Sequence, residues 1–265
     1  MRKNTQKVII ILLFVIFIGV LVVGKLKDKE KHSSTSSTVA VTKDKESTNT
    51  SDATKDEKKD DSKNTENKNS NLSPYEKINK KQGISMLFLG DKVLKASSLN
   101  EEDKIDSNIK KWIEDTYAIK VDKTTKTSDK GFVSSSLEDY NSLENKKYDL
   151  VVLCTGEFNL GYEPNEKIIE NYESIIKKIK ENNEKASIYI IVEGSIQTDK
   201  NFPTSLNNLA EKYKLNSIDL REDFVGAKAA QLTVDGIIPN EAGYKIYKDK
   251  LEQAITKSIE DNKSK

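Results

Sequence analysis

The sequence predicts a three-layer α/β/α domain with a mainly parallel sheet, preceded by an apolar N-terminal segment and a long polar linker. Three observations carry that expectation. Short, wholly apolar runs alternate with amphipathic helical patterns from about Ile78 onward. Each run is followed by Gly or by a polar residue beside Gly. The runs lack the apolar/polar alternation of a half-exposed antiparallel strand, so they suit strands covered on both faces.

In chain order, Ile84 to Leu89 (ISMLFL) reads as the first buried strand, ending at Gly90-Asp91. Ile105, Ile109, Trp112, Ile113 and Tyr117 recur at helical spacing, so Asn100–Tyr117 reads as an amphipathic helix. Tyr148 to Cys154 (YDLVVLC) is a second strand ending at Thr155-Gly156, and Ile168, Tyr172, Ile175, Ile176 and Ile179 mark the next helix. Ser187 to Val192 is a third strand. Leu206, Leu209, Ala210 and Tyr213 mark a helix, and Ser217–Leu220 a short strand. Pro239-Asn240-Glu241 opens a last helix carrying Tyr244, Tyr247, Leu251, Ala254, Ile255 and Ile259, with Asn240 as its cap. In such sheets ligands bind beyond the carboxyl ends of the strands, so Asp91, Gly156 and the loop around Asp235 should converge there.

The 265 residues divide into three regimes. Residues 1–24 hold a short basic tip and an apolar run from Val8 to Val23, read as an uncleaved transmembrane signal anchor. With Gly24 the run reaches 17 residues, at the low end for crossing a membrane as a helix. A cleaved signal peptide is the competing reading, but the run ends in Gly-Lys-Leu-Lys with no small-x-small site. Residues 25–77 form a linker rich in Ser, Thr, Lys, Asp, Glu and Asn, too polar to offset the entropy of ordering. Residues 78–262 form the globular domain. An N-in anchor would place that domain outside the cytoplasm, on the membrane of what the Lys/Asn/Ile-rich composition suggests is a bacterial cell.

The net charge of +1 supplies no global field for nucleic acid. One cysteine, Cys154, excludes an intrachain disulfide and a thiolate metal cluster; in its apolar run it reads as a core residue. No metal or cofactor is expected. His32 is the chain's one histidine and lies in the linker, so the globular domain has no imidazole base.

Three segments resemble the SGNH, or GDSL, hydrolase family. Leu87-Phe88-Leu89-Gly90-Asp91-Lys92-Val93 is similar to the block that delivers Gly-Asp-Ser. Asp149 to Leu160, containing Gly156-Glu157-Phe158-Asn159, is similar to the block whose Gly-x-Asn-Asp turn supplies an oxyanion-hole asparagine. Asp235-Gly236-Ile237-Ile238-Pro239-Asn240 is similar to the Asp-x-x-His-Pro-Asn block of the acid and base. The nearest match to the remaining block is Gly131-Phe132-Val133-Ser134-Ser135. The resemblance implies an SGNH or flavodoxin-like sheet and ester chemistry on acylated cell-surface glycans. The departures fall on the chemistry. Lys92 stands at the nucleophile's position and Ile238 at the base's, and Asn159 serves only if its turn shifts by one residue. No catalytic residue is secure. A Ser-His-Asp relay needs an imidazole that titrates near neutral pH, and none is available.

Lys92 has three readings: an ion pair with Asp235 filling the vacated pocket, an anion-binding group, or a catalytic lysine. Asp235 without a histidine pairs with Lys92 or caps local backbone. Ile238 packs beneath the last helix. Ser134, Ser135 and Glu157 are possible pocket residues. The function expected first is a membrane-anchored pseudohydrolase that binds an envelope glycan or a protein partner. The alternatives are an active acyl esterase or O-acyltransferase using Ser134 or Ser135 with Glu157 as base, and a purely structural surface domain.

Overall fold

The computed structural model describes residues 72–128, 131–143, 146–156, 162–194 and 201–263. The expected anchor, His32 and most of the linker lie outside them, as do Glu157 and Asn159. No helix among the described residues is long and apolar enough to cross a membrane.

Among the described residues, five strands form one parallel sheet: β1 (Ile84–Gly90), β2 (Val121–Thr127), β3 (Leu150–Cys154), β4 (Ser187–Val192) and β5 (Asn216–Asp219), in the order β2-β1-β3-β4-β5. Helices alternate with them: α1 (Pro74–Asn79), α2 (Lys92–Lys95), α3 (Ile105–Tyr117), α4 (Val133–Asn141), α5 (Asn165–Asn182), α6 (Asn201–Tyr213), α7 (Ala227–Leu232) and α8 (Glu241–Lys263).

The period-2 geometry of a strand sorts each apolar run onto two faces. On one face Met86, Phe88, Val152, Cys154, Tyr189 and Ile191 pack against Ile109 and Ile113 of α3 and Tyr247, Leu251 and Ile255 of α8. On the other, Leu87, Leu89, Val151, Leu153, Ile188 and Ile190 pack against α4, α5 and α6 through residues such as Tyr140, Ile175 and Leu206. Both faces are dry, which explains why β1, β3 and β4 read as unbroken apolar runs.

The sequence expectation contains no α2, β2, α4 or α7, and α1 falls largely in its linker. β2 is polar (VDKTTKT) and sits at the sheet's edge, registered with β1 from Val121 opposite Ile84 to Thr127 opposite Gly90. Its pairing with β1, rather than an apolar pattern, makes it a strand. Helix α1 (Pro74–Asn79) starts ahead of the 77/78 boundary drawn from composition. A capping box closes α1: the Ser73 hydroxyl accepts from the Glu76 amide, and the Glu76 carboxylate accepts from the Ser73 amide. Tyr75 and Ile78 are buried against the core, and the Tyr75 hydroxyl shares a hydrogen bond with that of Tyr189. The remaining bounds lie within a few residues of those read from the sequence.

Gly90 ends β1 where the chain must pass β3 closely. A Cβ there would lie 2.3 Å from the Cys154 carbonyl oxygen and 2.8 Å from the Leu94 side chain. The obstacle is backbone, so Gly90→Ala should part the two strands and cost at least about 1–3 kcal/mol of unfolding free energy, read by urea denaturation.

Candidate functional site

The sheet order reverses direction between β1 and β3, the switch point at which α/β sheets form ligand crevices. β1 leads into Asp91 and β3 into Thr155 and Gly156. Asp91 is wholly buried. One carboxylate oxygen caps α2 by accepting from the Val93 amide (2.9 Å), and the other accepts from the Gly156 amide (3.3 Å). A single side chain thus ties together the loops after the two central strands. Gly156 has φ +129°, a conformation nearly confined to glycine, and a Cβ on it would come within 2.8 Å of the Phe202 ring.

Beneath this clamp lies a group of buried polar side chains that sequence reasoning missed. Glu193, directly after β4, is fully buried. The Cys154 thiol donates to its Oε1 at 3.5 Å. Burial, reinforced by Glu193 and Asp91, pushes the Cys154 thiol well above its usual range, so it stays protonated and unreactive. Burial also raises Tyr172 and Tyr247, with Glu193 next in effect. The Tyr172 hydroxyl donates to the Thr155 carbonyl, the Tyr247 hydroxyl accepts from the Gly194 amide (2.9 Å), and the Tyr244 hydroxyl donates to the Val93 carbonyl (2.7 Å). The sequence signal for Glu193 was a carboxylate at the end of an apolar strand run.

Above the sheet, a cavity of about 320 Å³ is lined by Lys92, Lys95, Ser97, Ser98, Val234, Asp235 and Ile238. It brings together the positions that match the family's nucleophile, acid and base. The expected ion pair between Lys92 and Asp235 is not formed. The Asp235 carboxylate turns back on its own loop and accepts from the amides of Ile237 (3.0 Å) and Ile238 (2.7 Å). Donors two and three residues away need no long side chain to be ordered, so they outcompete the ammonium. Those two amides hold the carboxyl below its ordinary value, Ile238 contributing most. Ile238 packs against the core beside α8, as expected. Asn240 caps α8, its side-chain oxygen accepting from the Gly243 amide (3.1 Å). Ser134 and Ser135 sit in the first turn of α4, half-buried and buried respectively, and neither lines this cavity.

No protein-family model matches the sequence, and no curated protein matches it significantly. Solved structures do share its fold. A two-domain esterase active on acetylated mannans superposes with a TM-score of 0.59 at 16% identity, over 69% of this chain and 51% of that one. The chain therefore spans about half the length of that enzyme. The psychrotrophic esterase EstA from Pseudoalteromonas sp. gives 0.56 at 17% identity, over 66% of this chain and 98% of that one. A lipolytic protein of the G-D-S-L family from Veillonella parvula gives 0.51 at 16% identity, over 66% and 98% of the two chains.

Two outcomes test the geometry. Asp91→Ala should cost about 1–3 kcal/mol in urea denaturation, because it removes a helix cap and strands a buried amide; Asp91→Asn, which keeps one acceptor, should cost less. A depressed carboxylate keeps its bonds above its ordinary pKa and loses them as pH falls through the lowered one. The Ile237 and Ile238 amide proton shifts should accordingly titrate with a midpoint below 3.8. A midpoint at or above that value would mean the turn does not persist in solution. The described domain has the fold of the SGNH, or GDSL, esterases.

Proposed function

We propose that this chain is a membrane-tethered, extracytoplasmic SGNH-like domain that binds an acylated envelope glycan without hydrolysing it. The observation that carries this reading is the cavity over Lys92, Asp235 and Ile238, whose described lining holds a lysine where the family's nucleophilic serine would stand and no imidazole. A lysine at the nucleophile's position is a poor attacking group while it remains charged. Asp235, engaged by backbone amides, has no base to orient. The cavity nonetheless keeps an apolar wall from Val234 and Ile238, suited to a short acyl group, beside the hydroxyls of Ser97 and Ser98. The apolar run from Val8 to Val23, flanked by Arg2, Lys3, Lys7 and Lys25, supports the tether.

The test is turnover of p-nitrophenyl acetate by the purified full chain beside the double variant Lys92→Ser, Ile238→His. The natural chain should match the buffer rate. The variant should rise about tenfold or more, short of the roughly 10²–10⁴ that a tuned general base contributes. Turnover by the natural chain that is lost in Ser134→Ala or Ser135→Ala would instead establish an active esterase. For binding, calorimetry with an acetylated oligosaccharide should give heat that Ile238→Trp, which fills the cavity, abolishes.

A further inference from the structure

The amino-terminal edge of the sheet, opposite the family-motif cavity, carries a second recess. A cavity of about 650 Å³ lies against the first residues of β1 and β2, and one of about 220 Å³ against the residues preceding β3 and β4. Both are lined by Ser85 and Asp149, so they form one groove across the starts of β1, β2, β3 and β4. Its walls carry six lysines: Lys77, Lys110, Lys120, Lys123, Lys147 and Lys185. Against them stand Asp122, Asp149 and Glu184.

The pairing within the groove is uneven. Asp149 is buried and spent on its floor, accepting from the Lys77 ammonium (2.6 Å) and the Ser85 amide (2.9 Å). Asp122 pairs with Lys146 (3.2 Å). Lys123 is taken by Asp106, on α3. Among the described residues, Lys120, Lys147 and Lys185 are exposed and make no ion pair. Three exposed ammonium groups therefore overhang a groove in which Asp149 and Asp122 are paired and Glu184 is the remaining acid.

We infer that this groove binds a linear polyanion. Lysine is a hydrated point charge on a flexible stem, whereas arginine's planar fork reads carboxylate or phosphate geometry in bidentate fashion. The groove's cations are all lysine, so it responds to charge density along a chain rather than to the shape of one headgroup. A trough formed by two merged recesses suits an extended chain. A flat lipid surface would meet the exposed lysines without following the recess. α1, which begins at Pro74, brings Lys77 to this same edge.

The probe is inorganic polyphosphate, titrated into the full chain and into a Lys120→Ala, Lys147→Ala, Lys185→Ala variant. All three positions are exposed, and circular dichroism verifies the fold. The natural chain should bind with an affinity that falls as salt rises. Loss of three contacts should flatten the log–log salt slope by about 2 and weaken binding by roughly tenfold or more at low salt. Unchanged affinity in the variant would overturn the inference. So would loss of binding in Lys92→Ala, Lys95→Ala, which would move the anion site to the opposite end. Equal or tighter binding to vesicles containing phosphatidylglycerol would assign the lysines to a membrane surface and likewise overturn it. None of these results depends on whether the domain turns over esters.

Discussion

The buried Asp91 carboxylate is the constraint on which the upper half of this domain depends. A charged side chain excluded from water is tolerated only when its oxygens are satisfied, and here two backbone amides satisfy it. One amide belongs to α2, after β1; the other belongs to the loop after β3. The same bonds that make the buried charge tolerable lock the two central loops into one register. Gly90 and Gly156 serve that arrangement from either side, one by admitting the β3 backbone and the other by adopting a conformation closed to other residues. The clamp places Lys92, directly after Asp91, on the rim of the cavity above the sheet.

The side chains at the motif positions have structural partners. Asp235 shapes its own turn. Ile238 packs against the apolar layer that includes α8. The buried polar group of Glu193, Cys154, Tyr172 and Tyr247 sits below the cavity and, through Tyr247 and the Gly194 amide, links the end of β4 to α8. These contacts tie the strand ends beneath the crevice to the helices that flank them.

Much of this was legible in the residues. The runs ISMLFL, DLVVLC and SIYIIV have one physical meaning when bounded by glycine and separated by helical periodicity, and the three motif segments placed the loops that meet. β2 was not legible, because an edge strand with half-exposed faces has no apolar pattern and takes its identity from its neighbour. The capping box at Ser73 and Glu76 was readable in principle, but the surrounding polar sequence masked it. Glu193 and Cys154 lie 39 residues apart and meet only once the parallel sheet sets their strands in register. The expected Lys92–Asp235 pair failed for a local reason: proximity in space favoured it, while proximity in sequence favoured the amides.

The polar composition of β2 has a consequence for assemblies of this chain. An open sheet ends in a row of backbone groups able to recruit a further strand, and a β5 of four residues offers little length for that. The longer edge is β2, where Lys126 and the Lys123–Asp106 and Asp122–Lys146 ion pairs set charged side chains along the line a further strand would follow. A second sheet pairing there would have to desolvate or displace those charges, so the polar edge opposes fusion of two sheets into a continuous ribbon.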